Sequence, residues 1–463
     1  MASFTVAEVL AATQAVLDGA VFQETFSGVS TDTRTLEPGN LFVALSGDRF
    51  DGHRFLKQAV KAGAFGVLIG RTATVQDVPA GITVFRATDT LEAFQGLAKF
   101  HRQRYTIPVI AITGSNGKTT TKDLTAAILA SRWRVLKTEA NYNNEIGLPK
   151  TLLSLDSVHQ AAVVEMGMRG AGQIRALCEI AAPTIGIITN VSETHIELLG
   201  SLENIARAKR ELVESIPASG TVILNADNSY VLAMREQAVG HIVTYGLGLD
   251  ADVRAEQIEP GQETTKFVCH TQQGVFAVDL PAIGRHNVYN ALAAIAAGLA
   301  MGLVPQEIQA GISSFATTAM RLYKIAVGGY TILNDTYNAS PASMAAAIDA
   351  LGSIAVGRRV AVLADMLELG DIAVSAHRQI GEKLANEKID VLVTVGDLAQ
   401  HIAAAAKEKG LVVAVACTDH AAAQRELNRL LKPGDTILVK GSRGMKMEQI
   451  VEYLANISTG TVS

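Results

Sequence analysis

The sequence predicts an α/β protein of three packed domains, and three observations predict it. The chain has 463 residues, 48% of them hydrophobic and 18% charged. That is long for one core and ordinary in composition for a globular protein, so length suggests about three domains. Short apolar runs alternate with helical patterns from residue 105 onward, which implies parallel strands with helices on both faces. Finally, an apolar run ending at Ile112 passes through a glycine-rich turn, ITGSNGKTTTKD at 112–123, directly into a helical pattern.

In chain order, MASFTVAEVLAAT reads as a short amphipathic helix. Residues 1–88 form the first expected domain, with strands at Leu41 to Leu45, Gly66 to Ile69 and Thr83 to Phe85, and a helix at Phe55 to Ala62. A helix from Leu91 to Arg104 leads into the second domain, 89–318. Its buried strands end at Ile112, at Glu165 (AAVVE) and at Asn190 (IGIITN). A β-rich insertion is expected next, at Thr221 to Leu224, Ile242 to Tyr245 and Lys266 to Leu280, followed by an alanine-rich buried helix over Ala291 to Val304. The third domain, 319–463, repeats the alternation. Its strands run from Tyr330 to Leu333, Arg359 to Leu363, Val391 to Val395 and Thr436 to Val439, with helices at Ser343 to Leu351 and His377 to Asn386.

The bulk numbers exclude several classes. Forty basic and 45 acidic residues give a net charge of −5, which argues against nucleic acid and anionic membranes as partners. Cys178, Cys269 and Cys417 lie far apart without C-x-x-C spacing, so a reducing compartment fits better than disulfides or zinc. No secretory pattern is visible, and Ala291 to Val304 is too short to span a bilayer. These features predict a cytoplasmic protein.

Ligands of parallel sheets lie beyond the carboxyl ends of the strands, and polar residues gather there. In the turn, Gly114 and Gly117 let the backbone approach a phosphate without a Cβ in the way. The N–H groups of Ser115, Asn116 and Thr120 and the helix N-terminus direct positive partial charge at that phosphate. Lys118 reaches terminal phosphates, and the Thr119 hydroxyl suits Mg²⁺. The usual G-x-x-x-x-G-K-[ST] spacing would require glycine at Ile112, so this loop is a compact variant. Glu165 is either an Mg²⁺-holding carboxylate or a solvated strand end. His195 is a metal ligand or an ordinary loop histidine. Lys209, among Arg207, Arg210 and Glu211, has the pattern of a solvated helix face. Asn287 and Asn290 in GRHNVYN offer amides to a purine edge or cap a helix. Asp335 in NDTYNASPASM can accept from ribose hydroxyls, while Ser340 with Pro341 makes an ordinary helix start. LADMLELG at 363–370 and KGSRGMKME at 440–448 each follow a strand of the last domain.

Taken together, these segments resemble the ATP-dependent Mur ligases of bacterial cell-wall synthesis over essentially the whole chain. The compact phosphate loop, NYNNEIGLP at 141–149, EMGMRGAGQI at 165–174, ITNVSETHIELLGSLENIARAK at 188–209 and GRHNVYNALAA at 284–294 are similar to the family's central motifs in order. STDTR at 30–34 and FVALSGDRFDGH resemble its UDP-binding first domain. NDTYNASPASM replaces the histidine-bearing D-Y-A-H-T-P and D-x-A-H-N-P forms of the MurE and folylpolyglutamate branches, and no D-N-P-R motif is present.

The resemblance implies a small UDP-binding α/β domain, a central P-loop ATPase domain and a Rossmann-like third domain. It implies a cytoplasmic monomer that adds D-alanyl-D-alanine to UDP-N-acetylmuramoyl-tripeptide through an acyl phosphate. ATP, two Mg²⁺ ions and a CO₂-derived lysine carbamate would take part. In residues, it implies Thr119, Glu165, His195 and Lys209 (as the carbamate) around metal, with Lys118, Lys209 and His195 catalytic. It puts Asn287 and Asn290 on adenine, and Arg321 and Asp335 on the nucleotide. Ser30, Thr31, Asp32, Arg34, Asn143, Asn144, Tyr337, Asn338 and Ser442 fall on the substrate side. Two alternatives remain: another amino-acid ligase of the Mur or folylpolyglutamate type, and a non-ligating, ATP-gated protein that binds the precursor.

Overall fold

The computed structural model describes residues 2–47, 50–73, 78, 80–317 and 319–457. Asp48 and Arg49 of GDRFDGH, and Thr318 at the expected domain boundary, lie outside the described residues.

Three main sheets order the chain. The first domain has five strands in the order Val16–Leu17, Thr83–Ala87, Gly66–Gly70, Leu41–Val43 and Val29–Ser30, parallel except for the first pair. The central sheet has nine, in the order Val135–Lys137, Ala161–Glu165, Val109–Thr113, Ile185–Ile188, Thr221–Asn225, His241–Gly246, Val253–Pro260, Thr265–Thr271 and Gly274–Leu280. The third has Tyr323–Val327, Tyr330–Asp335, Thr436–Lys440, Arg359–Ala364, Val391–Val395 and Ala414–Cys417, parallel after the first pair.

The central sheet corrects one expectation. Thr221–Asn225 and His241–Gly246 are not an insertion: they continue the parallel sheet beside Ile185–Ile188. Only the last two pairings are antiparallel, and Lys266 to Leu280 is a hairpin of two strands. The strand Val253–Pro260 (VRAEQIEP) escaped because it is polar on one face and frays into exposed residues. The short edge strands Tyr323–Val327 and Ala414–Cys417 escaped for the same lack of a long apolar run.

The core follows the layers. Helices Lys118–Ala130 and Arg285–Ala300 cover one face of the central sheet, with Ile110, Ile112, Leu124 and Leu292 in one cluster. The other face shares its core with the first domain through helix Thr90–Gln103, whose Phe94 and Leu97 join Phe4 and Phe26 to Val164 and Ile174. The alanine-rich stretch is a buried helix only as far as Ala300: it runs Arg285–Ala300, and Met301 to Val304 turn out of it, with Val304 exposed. Among the described residues no helix is long and apolar enough to cross a membrane, and the three cysteines are free and buried.

Candidate active site

The carboxyl ends of the central strands face those of the third sheet across a cavity of about 1130 Å³. The strand Val109–Thr113 ends in the phosphate loop, and helix Lys118–Ala130 begins at Gly117. Gly117 has φ +82°, and a Cβ there would lie 2.3 Å from Asn290 Oδ1; Gly114 has φ +151° and would meet Thr189 Oγ1 at 1.8 Å. Both positions therefore require glycine. The loop is held from the next strand end: the Asn116 amide N–H donates to Asn190 Oδ1 (2.9 Å), Asn116 Nδ2 to Ser192 Oγ (2.9 Å) and Ser115 Oγ to the Ser192 carbonyl (3.1 Å). Thr120 also lines the cavity.

Lys118 folds over its own loop and donates to the carbonyls of Gly114 (2.8 Å) and Ser115 (3.2 Å). Burial lowers its pKa, Glu165 opposes this and Arg321 adds to it. Glu165 is not a solvated strand end. It is buried, and its carboxylate accepts from Thr119 Oγ1 (2.8 Å) and Asn143 Nδ2 (2.7 Å). Arg321 of the third domain donates to the same Thr119 hydroxyl at 2.8 Å, with its guanidinium 4.0 Å from the centre of the Tyr337 ring.

Lys209 overturns the solvated-face reading. It is only 2% exposed, in helix Leu202–Ser215. Among the described residues its ammonium has no hydrogen-bond or ion-pair partner, and burial, then the charge of Lys118, pushes its pKa well down. A sequence signal was present: Lys209 lies four residues after Ile205 and three before Leu212, inside the apolar stripe. His195 has a left-handed backbone, φ 63°. Its Nδ1 meets a carboxylate oxygen of Glu368, from the third domain's LADMLELG segment. Burial lowers its pKa, and Glu368 opposes the shift without reversing it.

Asn287 and Asn290 line the cavity but do not cap their helix, which starts at Arg285. Asn290 accepts from Thr121 Oγ1 (3.2 Å) and donates to Asn287 Oδ1 (2.9 Å), while Asn287 donates to the Ile283 carbonyl (2.8 Å). These amides brace the back of the phosphate loop. Asp335 is held by Lys440 Nζ (2.6 Å) and the Leu322 N–H (3.2 Å). Lys440, which also donates to the Asn338 carbonyl (2.8 Å), opens the KGSRGMKME segment, though the sequence reading gave the lysine itself no role. Its signal was the one that found Glu165: a charge ending an apolar strand. Ser340 starts its helix as expected and also donates across the cleft to Asn116 Oδ1 (3.1 Å).

The substrate-side residues divide. Asn143, Asn144, Tyr337 and Asn338 line the cavity. The Asn144 side chain is occupied by the turn, accepting from Gly147 N–H (2.9 Å). Ser442 does not line it; its hydroxyl accepts from Leu367 N–H (2.9 Å) and ties two strand-end loops together. Ser30, Thr31, Asp32 and Arg34 also lie away from the cavity, on the first domain. There Arg34 grips Asp32 through Nε (2.9 Å) and Nη2 (2.7 Å) and holds its pKa down to about 2.

A triphosphate loop facing a second α/β domain defines a nucleotide-using enzyme whose site is completed across a cleft. The comparisons agree. Three family models match: the Mur ligase middle domain over residues 112–298, the Mur ligase glutamate ligase domain over 320–443, and the Mur ligase catalytic domain over 25–101. A UDP-N-acetylmuramoyl-tripeptide–D-alanyl-D-alanine ligase of Bacillus subtilis is 41% identical over 93% of this chain and 94% of its own. The crystal structure of MurF from Acinetobacter baumannii superposes with a TM-score of 0.91 at 33% identity, covering 98% and 99% of the two chains. MurF of Thermotoga maritima, solved in complex with ADP, gives 0.83 at 25% identity over 94% and 98%. The chain belongs to the Mur ligase family, with its three-domain fold, and is an ATP-using ligase.

Proposed function

We propose that this protein joins D-alanyl-D-alanine to UDP-N-acetylmuramoyl-tripeptide, consuming ATP and forming an acyl phosphate on the way to the amide. One observation carries the reading: the compact phosphate loop, the Thr119–Glu165 pair and the buried Lys209 open into one cavity with Arg321 and Asp335 of the third domain. The full-length likeness to D-alanyl-D-alanine ligases supports the choice of nucleophile. Domain boundaries near residues 88 and 318, a monomeric state and a cytoplasmic location belong to the same reading.

The donor set fits Mg²⁺. Two oxygen donors, Thr119 Oγ1 and Glu165 Oε2, lie 2.8 Å apart. Among the described residues no three His, Cys, Asp or Glu side chains cluster for a metal. Such a site takes its remaining ligands from phosphate oxygens and water, as Mg²⁺ sites usually do. Thr119, Glu165, His195 and a Lys209 carbamate would hold up to two ions. Bound Mg²⁺ would neutralise charge on the β- and γ-phosphates. Lys209 suits the carbamate role because burial favours its neutral amine, and the neutral amine is the form that adds CO₂.

In the reaction, a carboxylate oxygen of the tripeptide attacks the γ-phosphorus, and the bond to the β–γ bridging oxygen breaks. Lys118 leaves its loop carbonyls for the phosphate oxygens, where preorganised positive charge counts most. The dipeptide amine then adds to the acyl carbon, loses a proton and expels phosphate. Arg321 and Ser340 help to hold the third domain against the phosphate loop and keep water from the acyl phosphate.

The test is phosphate release with UDP-N-acetylmuramoyl-tripeptide as acceptor. D-Ala-D-Ala should support turnover where meso-diaminopimelate, L-lysine and glutamate do not. Efficient ligation of a single amino acid would move the chain to another branch of the family. Slow ATP hydrolysis indifferent to the dipeptide would make it a binding protein.

A further inference from the structure

LADMLELG was conspicuous in the sequence as a strand-end segment, and the reaction above gives it no task. In the structure it reaches across the cleft. Glu368 brings a carboxylate oxygen to Nδ1 of His195, while the Glu368 carbonyl accepts from the Glu197 N–H at 3.3 Å. Gly370, at φ +51°, passes so close to Glu197 that its Cβ position lies 3.4 Å from Glu197 Cα. His195 and Glu368 are both non-glycine residues held in the left-handed region, at φ 63° and 61°. Such backbones persist where surrounding contacts over-determine them, and they gather at functional sites.

An imidazole that donates from Nδ1 keeps its Nε2 lone pair free. That fixes the tautomer and the ring plane, and a carboxylate behind a metal-binding histidine commonly does this. Here the carboxylate comes from a different domain. We propose that Glu368 is a positioning residue for His195, supplied by the third domain, so that docking of that domain and correct presentation of the His195 Nε2 lone pair to the metal-holding side of the cavity are one event. The proposal rests on the reading of His195 as a residue of the phosphate and metal site. It gives the cleft a check: with the third domain swung away, His195 loses its fixed orientation and the ATP-bound central domain is poorly set for phosphoryl transfer.

The test uses the full-length enzyme with Glu368→Ala, Glu368→Gln, His195→Ala and the double variant Glu368→Ala/His195→Ala. Glu368 is partly exposed, and glutamine preserves its shape and one acceptor oxygen. Glu368→Ala should lower kcat by about 10- to 100-fold, the usual cost of losing such an outer partner, with the KM for the tripeptide little changed. Glu368→Gln should lose less. In the His195→Ala background, Glu368→Ala should cost no more than about twofold, since it acts through the histidine. A readout independent of turnover is ¹⁵N NMR of histidine-labelled, nucleotide-free protein. The His195 resonances, assigned by their absence in His195→Ala, should report an Nδ1–H tautomer that becomes mixed in Glu368→Ala. An unchanged tautomer, or equal losses in both backgrounds, overturns the proposal. If the parent enzyme does not ligate D-Ala-D-Ala, the functional reading fails, while the tautomer measurement still decides the contact between Glu368 and His195.

Discussion

The two walls of the cleft are built from the same unit, a parallel strand running through a polar turn into a helix, yet they hold charge differently. On the central wall the lysines are under-used. Lys118 rests on the carbonyls of its own loop, and Lys209 is buried without a partner among the described residues. On the third-domain wall the cations are engaged. Lys440 is locked to Asp335, and Arg321 spans Thr119 and the Tyr337 ring. Lys118, an under-used cation in a low-dielectric pocket, is prepared for anions that arrive with the substrates, and Lys209 for the CO₂ that would make it a metal-holding carbamate. Paired cations make a rigid surface whose contribution is to dock. The chemistry therefore belongs mainly to the central wall and the closure to the other.

The sharpest way to break this comparison is at Lys209. Lys209→Ala should fold and be nearly inactive, with acetate restoring part of the rate by supplying the missing carboxylate. Lys209→Arg should do no better than alanine, because guanidinium keeps the charge and forms no carbamate. Replacing a buried amine that has no partner among the described residues should not destabilise the fold, so calorimetry of Lys209→Met should show a Tm no lower than the parent's. A fully active Lys209→Arg enzyme would place the chemistry elsewhere. Next, Lys118→Ala should lower kcat by at least about 10²-fold, the scale for one electrostatic contact to a transition state. Near-normal steady-state rates would remove Lys118 from the mechanism.

The third-domain wall should respond in stability rather than first in chemistry. Lys440→Met leaves Asp335 largely buried beside an apolar side chain. It should cost about 3 kcal/mol in denaturant unfolding, much of it recovered by adding Asp335→Leu. A loss below about 1 kcal/mol would show that the pair is not what stiffens this wall. The smallest effect lies outside the cleft. Asp32, held by Arg34, titrates at about 2. A depressed carboxylate stabilises the fold above its unfolded pKa near 4, and the contribution is lost as pH falls toward 2. Arg34→Ala should return the Asp32 titration, followed by NMR, toward the ordinary range. Stability at pH 7 should barely change, since Arg34 is exposed.

The same contrast explains what could be read from the sequence. The phosphate loop was legible because its glycines, lysine and threonine are contiguous and flanked by a strand and a helix. Glu165 was legible because a carboxylate ending an apolar strand has no packing role. Lys209 was masked by its charged neighbours, although its spacing from Ile205 and Leu212 already put it inside. The contacts that assemble the cleft were not legible at all. Arg321 to Thr119, Ser340 to Asn116 and Glu368 to His195 join residues from different domains, and no local periodicity encodes such pairs. In the central sheet, two short parallel strands passed for an insertion because strand direction is a property of pairing, not of composition.

The most direct test of the account follows oxygen rather than rate. With ¹⁸O in both oxygens of the reacting tripeptide carboxylate, the acyl phosphate route moves one labelled oxygen into each phosphate released with product. Mass spectrometry of that phosphate should show a single ¹⁸O per molecule, in step with formation of the amide. Unlabelled phosphate during steady product formation would contradict the account, because the carboxylate would then never have bonded to the γ-phosphorus.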